Sequence, residues 1–281
     1  MPDKRSKLDA TLSAAVAAAA ISVGSAHASQ PKEEDPHADL VKASVFAETT
    51  GVAPGATVWV GVHFEINDGW HTYWPGQNDS GFGTKIETTA PEGFIVGDPR
   101  WPAPHRYLAP GDILDHVHDG EVTVLLPVTA PADAELGTSA TFSFDLSWLV
   151  CEEVCIPGWE TVTLTLPIVA APTVATGSAA ERFTIARQRI PRPLTDTERV
   201  SIEWTGQTAV VRVMDRKKLS FYPDEGGSTV IDLSTSGTAS SGVLRLSFDT
   251  PEPVLSGVLE IHGSGEDPVL FAVRSVRDTE D

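Results

Sequence analysis

The sequence predicts an all-β protein made of two β modules in series. Its 281 residues include 23 glycines and 21 prolines, which separate many short runs rich in valine, isoleucine, threonine and phenylalanine. Several of these runs alternate apolar and polar residues with period two, as strands with one buried face do. The chain is also longer than one typical domain, which favours two modules.

A secretory signal peptide is predicted at residues 1–28. Lys4, Arg5 and Lys7 precede an apolar stretch of small residues from Leu12 to Val23, and Ala26-His27-Ala28 follows as an A-x-A cleavage site. The compact apolar centre favours this interpretation over a transit peptide, which would be Arg-rich and amphipathic. No later segment has the ~20 apolar residues that cross a bilayer. We therefore expect a periplasmic protein with no direct membrane insertion.

The chain is strongly acidic, with a formal net charge of -19. Removal of residues 1–28 takes away three basic and two acidic side chains, so the charge becomes -20. Such a surface repels phosphate backbones and anionic lipids, which argues against nucleic acid or a membrane surface as partner. Solubility or a saline habitat is the simplest explanation of the charge.

The first module is predicted to span residues 29–171. Its expected strands cover residues 41–49, 57–66, 84–88, 121–130, 140–150 and 160–169. Alternate positions from Val58 to Ile66, and from Phe142 to Trp148, are apolar and should share one buried face. Residues 68–83 are predicted to form a turn-rich aromatic loop. The proline-rich residues 100–112 are also expected to be a loop, over the surface or over a site, because each proline removes a ladder donor.

Residues 172–197 are predicted to form a linker with one short helix. Ser178 and Glu181 have the spacing of a capping box, and the helix should run to about Arg189, before Pro191 and Pro193. The second module, residues 198–281, contains further strand patterns and no cysteine. It is predicted to be a smaller, β-sandwich-like domain.

The two cysteines of the chain, Cys151 and Cys155, lie in the segment WLVCEEVCIPGW. A disulfide needs Cα atoms ~4.4 to 6.8 Å apart, whereas four residues of straight strand span about 13 Å. If these cysteines pair, the chain must therefore turn between them, at or near the connection of a β-hairpin. Such a short ring constrains little of the unfolded chain.

Three interpretations of the cysteine pair stay open at this point. Most paired cysteines in secreted proteins are structural, but a position near a hairpin tip, between Trp148 and Trp159, favours an exchangeable pair. The flanking Glu152 and Glu153 disfavour a thiolate, so the free thiols should be weak nucleophiles outside a complex. Alternatively, the thiolates could bind copper together with histidines, for which the candidates are His71, His105, His116 and His118.

Several motifs, in the same order, resemble a known family. GWHTYW (69–74), WPAPHRY (101–107), LLPVTAP (125–131) and above all LVCEEVCIPG (149–158) are similar to the N-terminal periplasmic region of the thiol:disulfide interchange protein DsbD family, including its suppressor-of-copper-sensitivity relatives. The motif FYPDEGG (221–227) resembles the second β module of the longer relatives.

This resemblance implies an immunoglobulin-like β-sandwich for the first module. It also implies that the cysteine pair takes electrons from a membrane-embedded thiol reductant of the DsbD type and passes them to periplasmic thioredoxin-fold proteins. Cys155 would form the mixed disulfide and Cys151 would resolve it. Neither a cofactor nor a dedicated metal is expected for this chemistry. The alternative function is a non-catalytic periplasmic scaffold or a copper-binding accessory protein.

The resemblance further implies a cap loop that shields the cysteines until a partner docks. The candidate cap is residues 104–112, which carry His105, Tyr107 and Leu108, and the candidate neighbours of the cysteines are His71 and Tyr73. Trp148 is a further candidate neighbour because of its place in the cysteine segment. His71 and Tyr73 could instead simply pack a strand end. The chain departs from better-known members in the shorter spacing of its cysteines.

Overall fold

The computed structural model describes residues 39–195, 200–214, 218–263 and 267–277, and the predicted signal peptide lies outside these ranges. Most of the described chain is β-strand, as the sequence predicts. The strands of the first half are β1 (Val41–Ala47), β2 (Thr57–Ile66), β3 (His71–Tyr73), β4 (Lys85–Thr89), β5 (Ile95–Val96), β6 (His105–Ala109), β7 (Ile113–His118), β8 (Glu121–Thr129), β9 (Ser139–Cys151) and β10 (Cys155–Pro167).

These strands form two antiparallel sheets within the described residues. The first sheet has the order β1-β2-β8-β5, and the second has the order β10-β9-β3-β7-β6, with β4 also paired to β9. The inner faces of both sheets supply one hydrophobic core. It contains the residues predicted to share buried faces, namely Val58, Val60, Val62, Phe64, Ile66, Phe142, Phe144, Leu146 and Trp148. The first half is therefore the predicted β-sandwich.

The second half begins with the helix α1 and continues as two further sheets. Its elements are α1 (Ser178–Arg189), β11 (Arg192–Pro193), β12 (Val200–Thr205), β13 (Thr208–Val213), β14 (Lys218–Pro223), β15 (Val230–Ile231), α2 (Leu233–Ser236), β16 (Thr238–Ala239), β17 (Val243–Phe248), β18 (Val254–His262) and β19 (Val269–Val276). In the described residues the sheet orders are β11-β19-β18-β14-β16 and β12-β13-β17-β15. A second core, with Phe221, Phe248 and Phe271, lies between them.

Two strands of the first half lie where the sequence predicts loops, and a third was not predicted. β3 is in the predicted aromatic loop and β6 is in the predicted proline-rich loop, whereas β7 lies just after that loop. The prolines at positions 104 and 110 flank β6 and do not interrupt it. β6 is also the edge of its sheet, where a missing donor costs least. The loop prediction for residues 104–112 is therefore wrong for His105–Ala109.

The helix α1 forms over the predicted residues, but its start differs from the prediction. Gly177 occupies the N-cap position with a φ of 69°, and no side chain caps the helix, so the predicted capping box is absent. The helix packs on the outer face of the first sheet, where Phe183 and Ala186 contact Leu125. An ion pair of 2.6 Å between Arg187 and Glu48 also holds it there. The predicted linker helix is therefore docked on the first half.

The two halves share buried side chains. Trp74 and Ala103 of the first half pack against Tyr222, Val258 and Leu270 of the second half. Leu114, on β7, is buried in the second core. Both sheet faces of β7 are therefore covered, one by the first half and one by the second.

Two buried histidines lie on the face of β7 that the second half covers. His116 contacts the ring of Tyr222, with 5.4 Å between ring centroids, and its Nδ1 lies 2.6 Å from the carbonyl oxygen of Gln77. His118 stacks on Trp101, and its Nε2 lies 3.0 Å from the carbonyl oxygen of Pro102. Burial lowers the pKa of both His116 and His118 to about 4. Both imidazoles are thus neutral in the folded protein at neutral pH.

This burial predicts a loss of stability in mild acid. Between pH 6.5 and about 4 the unfolded chain binds protons at both histidines and the folded chain does not, so unfolding is favoured as the pH falls. Each histidine should add up to about 1.4 kcal/mol per pH unit to the slope of the unfolding free energy against pH. We expect His116→Gln and His118→Gln each to reduce this slope in urea unfolding measured from pH 4 to 7.

The matched control is Gln188→Ala, because Gln188 is an exposed residue of α1 whose side chain binds no proton in this pH range. This substitution should leave the slope nearly unchanged. Equal slopes for the wild type, His116→Gln and His118→Gln would contradict the prediction.

Candidate redox site at the tip of a β-hairpin

The two cysteines close a three-residue hairpin loop. Cys151 is the last residue of β9 and Cys155 is the first residue of β10, and the two are directly opposite in the strand register. They form a disulfide, with Cα atoms 4.2 Å apart. The chain thus turns between the cysteines, as their spacing requires of a pair. Glu152, Glu153 and Val154 form the exposed loop.

The two cysteines differ sharply in exposure. Cys151 is only 3% exposed, whereas Cys155 is exposed to solvent. The sheet order explains the difference, because β9 is flanked by β10 and β3 whereas β10 is an edge strand. A nucleophile from another protein can therefore reach Cys155 much more easily than Cys151.

The Tyr73 hydroxyl is the polar group nearest to the disulfide. It donates a hydrogen bond of 3.2 Å to Cys151 Sγ and lies 3.5 Å from Cys155 Sγ. Tyr73 follows His71 on β3, and His71 pairs with Cys151 in the register of β9, which places the tyrosine ring on the same sheet face as the cysteines. Burial raises the pKa of Tyr73, so its hydroxyl stays protonated and remains a donor.

A buried carboxylate continues the hydrogen-bond network. Ser80 Oγ donates a bond of 2.6 Å to Asp115 Oδ2 and lies 3.4 Å from the Tyr73 hydroxyl. Asp115 is 2% exposed, and its Oδ1 accepts the backbone N–H groups of Asp79 and Ser80 at 3.0 Å each. A carboxylate only accepts, so Ser80 gives its single hydrogen to Asp115. Tyr73 must therefore divide its one hydrogen between the Cys151 sulfur and Ser80.

The Tyr73 ring is held by a close approach of backbone. A Cβ atom added at Gly81 would lie 2.2 Å from ring atoms of Tyr73, so only glycine fits at this position. On its other side the ring packs in a small cluster with Val117, Leu149 and Cys151. These contacts fix the direction in which the hydroxyl points.

His71 and Tyr107 form an aromatic contact beside the cysteines. Their ring centroids are 4.6 Å apart, and the His71 ring also meets the edge of Tyr73 at 5.6 Å. Burial lowers the pKa of His71, and the Asp115 carboxylate partly opposes this effect. Tyr107, on β6, therefore covers His71, the residue that pairs with Cys151.

The β6–β7 hairpin, which carries the candidate cap, meets the site at His71, the residue paired with Cys151, through the ring of Tyr107. That this hairpin shields the cysteines until a partner docks stays a prediction. Leu108 is 58% exposed, and His105 pairs with Asp119 at 3.3 Å on the surface.

Trp148 does not join the site. It lies on the opposite face of β9, where its ring meets the ring of Phe64 at 5.9 Å. Its indole also lies against Gly158, where an added Cβ would be only 2.4 Å from Trp148 Nε1. Trp148 therefore belongs to the core of the sandwich and packs under the hairpin on the sheet face opposite to the cysteines.

Ser80 and Asp115 were not predicted from the sequence. Ser80 stands in a segment whose Gly, Asn, Asp and Ser residues are typical of any turn, and Asp115 follows a proline-rich run. The one available sign is a carboxylate in a short alternating strand, ILDHVH, whose residues from Leu114 onward are buried. Only the tertiary structure brings these residues to Tyr73.

The described residues do not assemble a metal centre around the candidate histidines. Among them, no group of three or more His, Cys, Asp or Glu side chains is placed to hold a metal ion. His116 and His118 face the second half, whereas His105 lies at the surface. In the same part of the chain, no helix combines the length and hydropathy needed to cross a bilayer.

Comparison with known proteins relates this geometry to a family. Residues 38–167 match the family model described as thiol:disulfide interchange protein DsbD, N-terminal. This part of the chain is similar to a DsbD N-terminal domain. The match contains both sheets of the sandwich, the cysteine hairpin, Tyr73, Ser80 and Asp115. It supports thiol–disulfide exchange as the general chemistry of the cysteine pair.

Solved structures extend the likeness beyond the DsbD N-terminal domain. The N-terminal periplasmic domain of ScsB from Proteus mirabilis is 15% identical, with a TM-score of 0.55, over 85% of this chain and 95% of that chain. The reduced DsbD N-terminal domain of Neisseria meningitidis is 17% identical, with a TM-score of 0.32, over 51% of this chain and 96% of that chain. No curated protein matches the sequence. The ScsB likeness shows that the fold includes the second half.

The hydrogen bond from Tyr73 predicts how readily the disulfide is reduced. Reduction creates a thiolate at Cys151, and a hydrogen bond to a charged acceptor is worth about 1.5–3 kcal/mol. Tyr73→Phe should therefore shift the equilibrium towards the disulfide by about tenfold at pH 8, which lowers the reduction potential by about 30 mV. Equilibration with glutathione redox buffers and thiol alkylation measures this shift.

The control for this prediction is Tyr107→Phe, which removes a hydroxyl from the neighbouring hairpin without touching either sulfur. It should leave the potential within about 5 mV of the wild type, well below the effect of one charge-assisted hydrogen bond. An unchanged potential in Tyr73→Phe would contradict the assigned role of the hydroxyl.

Proposed function

We propose that this protein relays reducing equivalents in the periplasm by thiol–disulfide exchange. A membrane-embedded thiol reductant of the DsbD type would reduce the Cys151–Cys155 disulfide, and periplasmic thioredoxin-fold proteins would receive the electrons. The observation that carries the proposal is the unequal exposure of the two cysteines, with Cys155 exposed and Cys151 buried. This asymmetry suits a pair in which one cysteine meets partners and the other resolves.

In the first half-reaction the donor is oxidised. A thiolate of the donor attacks Cys155 Sγ, the Cys151–Cys155 bond breaks, and Cys151 leaves as a thiolate that accepts the Tyr73 hydrogen bond. The second thiolate of the donor then attacks the donor sulfur of the mixed disulfide and releases Cys155. Two electrons have moved, the donor holds a disulfide, and this protein holds two reduced cysteines.

In the second half-reaction the acceptor is reduced. The Cys155 thiolate attacks the disulfide of the acceptor, which releases one acceptor thiolate and leaves a mixed disulfide at Cys155. Cys151, directly opposite Cys155 in the hairpin, then attacks Cys155 Sγ. The intramolecular disulfide closes and the acceptor leaves with both cysteines reduced.

An exposed apolar surface beside Cys155 suits a docking partner. Cys155, Pro157 and Trp159 alternate along the edge strand β10 and therefore share one face. Trp159 is 74% exposed and Val154, in the hairpin loop, is 63% exposed. Large exposed apolar side chains next to a reactive centre are typical of a protein interface. A thioredoxin-fold partner would cover them while its cysteine approaches Cys155.

The exposure difference predicts which cysteine forms the trapped complex. Cys151→Ser leaves Cys155 with no resolving partner, so a mixed disulfide with a periplasmic thioredoxin-fold protein should accumulate. Cys155→Ser leaves only the covered Cys151 and should trap at least tenfold less, because access controls the rate of exchange. Non-reducing electrophoresis and mass spectrometry of the linked peptides measure both.

Two outcomes would contradict the relay. Equal trapping through Cys151 would overturn the assigned roles of the two cysteines. A double Cys→Ser variant with unchanged biological activity would instead favour a scaffold function for the protein.

The docking surface predicts a selective effect of Trp159. Trp159→Ala should raise the KM for reduction of a thioredoxin-fold partner about tenfold, since a central tryptophan of an interface commonly contributes 1.4 kcal/mol or more. The reduction potential should not change, because Trp159 does not contact either sulfur. The matched control is Ile185→Ala, a 61% exposed apolar residue on α1. An unaltered KM in Trp159→Ala would exclude this face as the docking surface.

A further inference from the structure

We infer that Gln77 is a positioning residue for the Tyr73 hydroxyl, and that the second half of the chain acts through Gln77 on the redox equilibrium of the cysteine pair. The inference rests on the proposed thiol–disulfide exchange. It extends that proposal because it gives the second half, which contains no cysteine, a part in the reaction.

Gln77 is bound to the second half by a paired set of hydrogen bonds. Its side-chain Nε2 donates to the carbonyl oxygen of Val230 and its Oε1 accepts from the N–H of Val230, both at 2.9 Å. Its backbone N–H donates to the carbonyl oxygen of Pro223 at 3.0 Å. Val230 is 2% exposed and belongs to the second core. Gln77 is therefore held by a well-packed part of the second half.

The neighbouring residue shows how closely the two backbones meet. A Cβ added at Gly76 would lie 2.4 Å from the carbonyl oxygen of Pro223, so this contact requires glycine. The backbone before Gln77 therefore packs directly on the second half, and this contact restricts the movement of Gln77.

The residues after Gln77 transmit its position to Tyr73. Asn78 Oδ1 accepts the backbone N–H of His116 and Asp79 Oδ2 accepts that of Leu114, both at 2.7 Å, so the segment lies along β7 as a strand would. Ser80 and Gly81 follow directly, and they contact the hydroxyl and the ring of Tyr73. The segment 77–81 is thus a short bridge with Val230 at one end and Tyr73 at the other.

This bridge bears on the reaction because the Tyr73 hydrogen can go to Ser80 or to the sulfurs, of which Cys151 Sγ is the nearer. With Ser80 held by Asp115, the distance of 3.4 Å from Ser80 to Tyr73 is longer than the 3.2 Å from Tyr73 to the Cys151 sulfur, and the hydrogen goes to the sulfur. If the bridge shifts, Ser80 and Gly81 no longer fix the tyrosine, and the bond to a Cys151 thiolate weakens. The reduced state of the pair then becomes less favourable.

A double-mutant cycle in the full mature chain tests the inference. Gln77→Ala should shift the equilibrium with glutathione towards the disulfide by threefold to tenfold at pH 8, where tenfold corresponds to about 30 mV. In the Tyr73→Phe background the same substitution should change the equilibrium less than 1.5-fold, because the group it positions is absent. Full additivity of the two substitutions, or an unchanged equilibrium in Gln77→Ala, would overturn the inference.

Two further variants separate this effect from a general loss of stability. Gln188→Ala removes an exposed glutamine from α1 and should leave the equilibrium unchanged. Gln77→Asn keeps both the amide donor and the amide acceptor on a side chain one methylene shorter, so it should give an intermediate shift and serves if Gln77→Ala does not fold. A lower midpoint of urea unfolding with an unaltered redox equilibrium would mean that Gln77 is only structural.

The outcomes also distinguish this inference from the proposed function. A wild-type disulfide that resists reduction by glutathione and traps no partner would refute the relay itself. Normal exchange in the wild type, with no coupling between Gln77 and Tyr73, would refute only the role of Gln77.

Discussion

The single hydrogen of the Tyr73 hydroxyl is the interaction on which the site depends. The buried Asp115 carboxylate takes the hydrogen of Ser80, so Ser80 can only accept, and the Tyr73 hydrogen is left to choose between Ser80 at 3.4 Å and the Cys151 sulfur at 3.2 Å. The Tyr73 hydrogen goes to Cys151 Sγ, the atom that becomes negative on reduction. A neutral donor in a buried place can thus stabilise a thiolate without a nearby cation, which matters in a chain with a net charge of -19.

The order of the strands gives the two cysteines their different environments. The two cysteines flank the loop of one hairpin, but Cys151 is on β9, inside the sheet, and Cys155 is on β10, at its edge. The edge position exposes Cys155 together with Trp159, whereas the interior position buries Cys151 under Tyr73. A partner therefore contacts Cys155 and the apolar surface beside it, whereas Cys151 stays buried.

The second half stabilises the site from the far side of β7. It buries Leu114 and His116 on one face of this strand, while Asp115 and Val117 face Tyr73 on the other. It also binds Gln77, only four residues after Tyr73. A module without cysteines can in this way contribute to a redox site, because it restricts the backbone that carries the hydrogen-bond donor.

The sequence by itself determined what depends on local pattern. The long alternating strands β2 and β9 follow from periodicity, and the turn between the paired cysteines follows from their spacing, since these are properties of neighbouring residues. The end of α1 follows from the prolines after it, whereas the capping box that predicted its start is absent. Short strands such as β3 and β6 were missed because their stability comes from partners distant in the chain. Only the tertiary structure decided which cysteine is exposed, that Trp148 faces the core, and that Ser80 and Asp115 meet Tyr73. Strand order and the packing of the two halves set these features, and neither can be inferred from the local pattern of one sequence.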